Sequence, residues 1–114
     1  MDEQTYQGRR RRGPRVVMRV PIEVRGIAED GSEFEEDMHT SVVGSVGAMI
    51  RTSRSLQMNS EVSVTNRFSQ QTQQFRVAWI GEKQADGSWE IGLEALQPLD
   101  DFWGVRFPSK PNPT

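Results

Sequence analysis

The chain has no cysteine and a single histidine, His39, among its 114 residues. Without thiols there is neither a disulfide framework nor a thiolate metal site. One imidazole has no second to pair with in a histidine-based metal centre or catalytic dyad. Neither a Ser–His–Asp arrangement nor a glycine-rich phosphate-binding loop ending in lysine is present. These absences argue against an enzyme and against a bound metal or cofactor. Apolar residues make up 34% of the chain, and no apolar run is long enough to span a bilayer or to form the centre of a signal peptide. The reading is a soluble, cytoplasmic protein with no membrane insertion. No stretch of ten or more residues carries a helical period, which leaves short strands as the building material.

What is present is unevenly distributed. The formal net charge is -2, yet Arg9, Arg10, Arg11, Arg12 and Arg15 place five guanidinium groups within seven residues. Arg19 and Arg25 extend this bias, with only Glu23 to offset it between Arg9 and Arg25. Arginine offers a planar fork of donors that matches phosphate oxygens in pairs. The run reads either as an anion clamp or as a solvated tail, and residue type alone leaves both open. A pI near 5.4 argues against general coating of nucleic acid, which wants a positive face across the whole domain. Three parts follow: a flexible Arg-rich leader over 1–14, one folded domain over 15–107, and an irregular proline-containing tail over 108–114.

Within the domain, Val16, Met18, Val20, Ile22 and Val24 alternate as one half-buried strand, with Pro21 suited to an edge or to the start of regular pairing. Asp30-Gly31 and Asp86-Gly87 predict hairpin turns. Phe34 to Val43 returns as the second strand, with its acidic Glu35-Glu36-Asp37 segment facing water. Gly44-Ser45-Val46-Gly47 is a loop or bulge whose glycines permit positive φ and close approach of a ligand. Ala48 to Thr52 is a short strand, Leu56 a core anchor, and Val62 and Val64 a further strand. Gln70 to Gln74 reads as a polar connection, and Phe75, Val77 and Trp79 as one face of the next strand. Trp89, Ile91 and Leu93 follow as another strand. Leu99 to Trp103 suggests a short C-terminal helical turn with Asp100 as N-cap, Phe102 and Trp103 plugging the sheet. The spacing predicts an all-β fold of six to seven antiparallel strands in a small barrel or sandwich.

Several of these segments, in this order, resemble the PilZ domain, a bacterial receptor for the second messenger cyclic di-GMP. They are Arg-x-x-x-Arg at Arg11 and Arg15, the strand Arg19-Val20-Pro21-Ile22, and Gly47-Ala48-Met49-Ile50 after an acidic strand. Val77-Ala78-Trp79, Ile91-Gly92-Leu93-Glu94 and Phe102-Trp103 complete the pattern, which covers about residues 9–107. The resemblance implies a split antiparallel barrel that acts as a nucleotide sensor or adaptor. Its second motif is Asp or Asn, any residue, Ser, two residues and Gly. With its glycine at Gly47, Val42 and Gly44 occupy the acid/amide and serine positions. An alternative register uses His39, Ser41 and Gly44. The first is preferred, because Gly47-Ala48 leads directly into the apolar strand that the family has there. Hydrogen bonds to charged groups contribute on the order of 1.5–3 kcal/mol and neutral ones about 1, so the two missing groups cost roughly 2–4 kcal/mol.

The resemblance implies a nucleotide site at Arg11, Arg12, Arg15, Gly44, Ser45 and Gly47. Cyclic di-GMP, bound there with reduced affinity, is expected to close the leader over the loop and so present a new surface to an unidentified protein partner. Two rival readings stand beside this one. The domain can be a protein-interaction module that no longer binds the nucleotide, or a small barrel that binds single-stranded nucleic acid through the Arg arm. The acidic remainder of the domain counts against the last.

Overall fold

The computed structural model describes residues 15–105 and Phe107. The leader expected over 1–14, with Arg11 and Arg12, and the tail over 108–114 lie outside the described residues. Seven strands follow in chain order: β1 Arg15–Val17, β2 Pro21–Ile27, β3 Glu33–Gly44, β4 Gly47–Thr52, β5 Glu61–Asn66, β6 Thr72–Lys83 and β7 Trp89–Ala95. No helix occurs among the described residues, and so none is long and apolar enough to cross a membrane. All pairings are antiparallel. Six strands close into a barrel in the order β3-β2-β5-β6-β7-β4, with β4 returning to β3, and β1 adds to β3 as a seventh. The all-β barrel read from the sequence is the fold observed.

Closure depends on the length of β3. Its first part pairs with β2, from Ile27↔Glu33 to Pro21↔His39. Its second part pairs with β4 on one side and β1 on the other. A bulge at Ser41, between the pairs Thr40↔Ile50 and Val42↔Met49, bends the strand where its partners change. The single strand expected over 16–26 is broken at the same place. Buried Thr40 accepts the Val20 amide on Oγ1 at 2.9 Å and donates to the Met18 carbonyl at 2.7 Å. This hydroxyl holds a corner between β1 and β2, so Pro21 opens β2, where its missing N–H costs the ladder least.

The two Asp-Gly turns form as expected, with the same chemistry. Gly31 and Gly87 have φ of 91° and 89°. Asp30 and Asp86 each accept the amide and hydroxyl of the serine two residues on, at 2.9 and 2.6 Å. Both carboxyls are held below their ordinary pKa, mainly by those serine hydroxyls.

The core is aliphatic around an aromatic centre. Val20, Ile22, Val24, Val43, Ile50, Val62, Val64, Val77 and Ile91 are buried, and so is the anchor Leu56. Phe102 packs edge-on to Trp103 with centroids 4.7 Å apart, and Phe75 lies about equally far from both, at 6.0 and 6.1 Å. The segment that carries Phe102 and Trp103 consists of two linked reverse turns: the Phe102 amide donates to Leu99 and the Gly104 amide to Asp101. Asp100 sits at φ 46°, in the left-handed region and not in the extended backbone of an N-cap.

Two strand expectations change. The polar connection expected over Gln70 to Gln74 is shorter, because β6 begins at Thr72 and Gln73 and Gln74 pair with Val64 and Ser63. Trp79 does not share a face with Phe75 and Val77. A bulge at Ala78 shifts the register between Val77↔Leu93 and Trp79↔Gly92, turning the indole to the outside of the barrel.

Candidate functional site

Of the six residues read as a nucleotide site, Arg15, Gly44, Ser45 and Gly47 are described, and the fold brings them together. In the β1–β3 ladder Arg15 stands directly opposite Gly44, the residue at which β3 enters its connection to β4. Arg15 is exposed. The leader therefore joins the barrel beside the Gly44–Gly47 loop, and the two sequence signals, 29 positions apart, meet at one ladder rung.

Around this rung the outer surface has two cross-strand rows, separated by two residues along β1, β3, β4 and β7 and by three along the bulged β6. One runs from Arg15 and Gly44 through Gly47 and Glu94 to Arg76. Arg76 is paired with Glu94 and donates to Asn59 Oδ1 at 2.8 Å. The second row is apolar: Val17, Val42, Met49, Gly92 and Trp79, on β1, β3, β4, β7 and β6. Val17 is 88% exposed, whereas Val42, Met49 and Trp79 are half-buried. Trp79 lies along the sheet over two bare backbone positions. A Cβ on Gly92 would come within 3.3 Å of the Trp79 Cβ, and one on Gly81 within 2.8 Å of its Cη2. The surface beside Arg15 thus combines a cation, a glycine floor and an apolar wall ending in an indole.

The glycines of the loop serve the barrel first. Neither has positive φ. Gly44 is buried, and its carbonyl accepts the indole N–H of Trp103 at 3.1 Å. Gly47 lies where β4 presses on β7: a Cβ there would stand 2.1 Å from the Leu93 carbonyl oxygen. The Val46 carbonyl meanwhile accepts the Ala95 amide at 2.8 Å. Close backbone approach is the property used, and the backbone approached is the protein's own. Ser45 is half-buried and makes no side-chain hydrogen bond among the described residues, so its hydroxyl is the polar group that the loop can offer a ligand.

Val42, at the position of the family's acid or amide, faces outward in the apolar row and brings no hydrogen-bonding side chain. In the alternative register, His39 is exposed and lies opposite Pro21 near the corner of β2. The Ser41 hydroxyl there donates to the Met49 carbonyl at 3.2 Å. That register spreads its residues across the bulge, whereas the first keeps Val42, Gly44 and Gly47 on the hairpin that faces β1.

Sequence reading did not place Trp79 at this site, having put it on one strand face with Phe75 and Val77. The available signal was Gly81, two residues on, with Gly92 on the neighbouring strand: outward glycines let an aromatic ring lie across the sheet. No group of three or more His, Cys, Asp or Glu side chains suited to a metal occurs among the described residues. No protein-family model matches the chain, and no curated protein matches it.

Proposed function

We propose that the chain is a PilZ-like sensor or adaptor of the bacterial cytoplasm. It binds cyclic di-GMP where its arginine leader joins the barrel, and it signals by protein contact. The observation that carries this reading is the Arg15↔Gly44 rung, which supports a single site built from two distant sequence signals. In the proposed mechanism Arg11, Arg12 and Arg15 supply guanidinium groups for the two phosphates. The Ser45 hydroxyl adds a hydrogen bond. The apolar row leading to Trp79 offers a surface on which a base can lie flat. The ligand binds the closed arrangement of the arm and shifts the population toward it. Absence of a carboxylate or amide at Val42, and of a hydroxyl at Gly44, leaves affinity to charge, so binding weakens as salt rises.

Calorimetric titration with cyclic di-GMP tests this reading. Binding at low salt that is abolished by Arg11→Ala combined with Arg15→Ala is the expected result. Binding that survives the pair unchanged removes the clamp.

A second reading has its own support. Gly47 is accounted for by close approach to the Leu93 backbone inside the barrel, and the Gly44 carbonyl is engaged by Trp103. A protein-interaction module that has given up the nucleotide needs Gly47 and the Gly44 carbonyl equally. No shift in melting temperature at millimolar cyclic di-GMP is the result that favours it.

A further inference from the structure

The connection between β5 and β6 is organised by one buried amide. Asn66 is 2% exposed, and its side chain is used at both ends. Nδ2 donates to the Phe102 carbonyl at 2.8 Å, while Oδ1 accepts the Phe68 amide at 2.8 Å and the Ser69 amide at 3.5 Å. The backbone adds three more ties: Gln70 N–H to the Asn66 carbonyl at 2.7 Å, Asn66 N–H to Gln71 at 2.9 Å, and Arg67 N–H to Pro21 at 2.9 Å. Gln70, at φ 66°, turns the chain back into β6 and donates its side-chain amide to the Arg67 carbonyl. At the apex of this anchored loop the Phe68 side chain is 78% exposed and lies outside the core. An aromatic ring held out on a fixed backbone needs little further ordering when it enters a pocket. Exposed rings of this kind supply much of the binding energy at protein interfaces.

The surface next to the loop is acidic. On the outer face of the β2–β3 hairpin, Glu23, Glu33, Glu35 and Asp37 outnumber Arg25, and Arg67 from the root of the loop reaches Asp37 at 3.7 Å. The carboxyls crowd one another: Glu23 titrates above its ordinary value, chiefly because of Glu35. Such a face repels phosphates and anionic lipid headgroups and attracts a basic protein surface. A depression on the same chain, lined by Ala28, Glu29, Asp30, Ser32, Ser53, Arg54 and Ser55, carries two carboxylates that would meet the acidic strip if a second copy received the ring there.

We infer that Phe68 and the acidic outer face of β2–β3 form a docking surface for a second protein, different in sequence, that offers an apolar pocket beside a basic strip. This surface stands independently of the nucleotide reading: it uses neither the leader nor the Gly44–Gly47 loop.

The test places the photo-reactive residue p-benzoylphenylalanine at position 68 of the full chain, expressed in its native cells, with Gln84 in the β6–β7 turn as the control position. One discrete protein adduct at 68 and none at 84 is expected. Glu35→Lys combined with Asp37→Lys should lower its yield at least about tenfold. The partner so identified, once purified, should bind Phe68→Ala at least about thirtyfold more weakly than wild type. Phe68→Ala itself should keep the wild-type melting temperature, since the ring supports no core contact. The proposal is overturned by absence of an adduct at 68 or by equal adducts at both positions. An adduct of twice the chain mass, adducts to nucleic acid or lipid, or indifference to the charge reversal overturn it too. A large fall in melting temperature in Phe68→Ala would show the ring to be structural and overturn it as well.

Discussion

Two connections between neighbouring strands, Gly44–Gly47 and Asn66–Gln71, are held by the same dipeptide and put to opposite use. Trp103 donates its indole N–H to the Gly44 carbonyl, and the preceding carbonyl, of Phe102, accepts the Asn66 side chain. The first loop begins and ends on glycine, Gly47 letting β4 approach β7 and Gly44 leaving a bare rung facing Arg15. The second spends a buried asparagine on fixing its backbone and then displays a phenyl ring. The difference teaches that glycine and exposed aromatic residues in loops have to be read against what anchors the backbone beneath them.

The comparison breaks most completely at the shared anchor. Trp103→Ala removes a side chain that is 3% exposed and leaves the Gly44 carbonyl without its donor. A loss of about 3–5 kcal/mol is expected, measured by urea denaturation. Amide exchange should rise in both loops, because the neighbouring Phe102 carbonyl shifts with the plug. Gly47→Ala sharpens the contrast, since it touches only the first loop. Its Cβ meets backbone at 2.1 Å, not a yielding side chain, so a cost of about 3 kcal/mol is expected, with protection of the Phe68 and Ser69 amides retained.

The smallest effect concerns the acidic face beside the second loop. Glu23 has a folded pKa above its ordinary 4.5, with the side chain of Glu35 as the leading cause. A carboxyl raised in this way favours the fold when protonated. That contribution is fully present below 4.5 and is lost as pH rises through the raised value. Glu23→Gln should therefore melt slightly above wild type at pH 7, and the two curves should converge as pH falls toward 4.5.

Much of the barrel was legible because its strands alternate cleanly and its turns are chemically explicit. Asp30-Gly31-Ser32 and Asp86-Gly87-Ser88 specify their hairpins through local side-chain bonds, which depend on nothing distant. The bulge at Ala78 was not legible, because Phe75, Val77 and Trp79 have the spacing of one face. Only the pairing with Gly92 reveals that the chain gained a residue and turned the indole outward. The corner at Met18–Val20 was hidden for a similar reason: it is set by Thr40, about twenty residues away. At the candidate site, the family resemblance implied a cluster of Arg15, Gly44, Ser45 and Gly47, and the Arg15↔Gly44 rung brings the arginine beside the loop. The sequence could not tell that Gly44 is buried or that the space over Gly47 is claimed by Leu93. Phe68 escaped attention because an isolated aromatic in a polar stretch has no periodicity to betray it, and its fixity comes from Asn66.

The most direct test of the nucleotide reading follows backbone amide chemical shifts during titration of the intact chain with cyclic di-GMP. The account predicts saturable shifts at Arg11, Arg12, Arg15–Val17, Gly44–Gly47 and the Trp79 indole N–H, with Arg67–Gln71 unmoved. Saturating ligand that leaves the Arg15 and Gly47 amides in place, or that shifts the Phe68 loop instead, would contradict it.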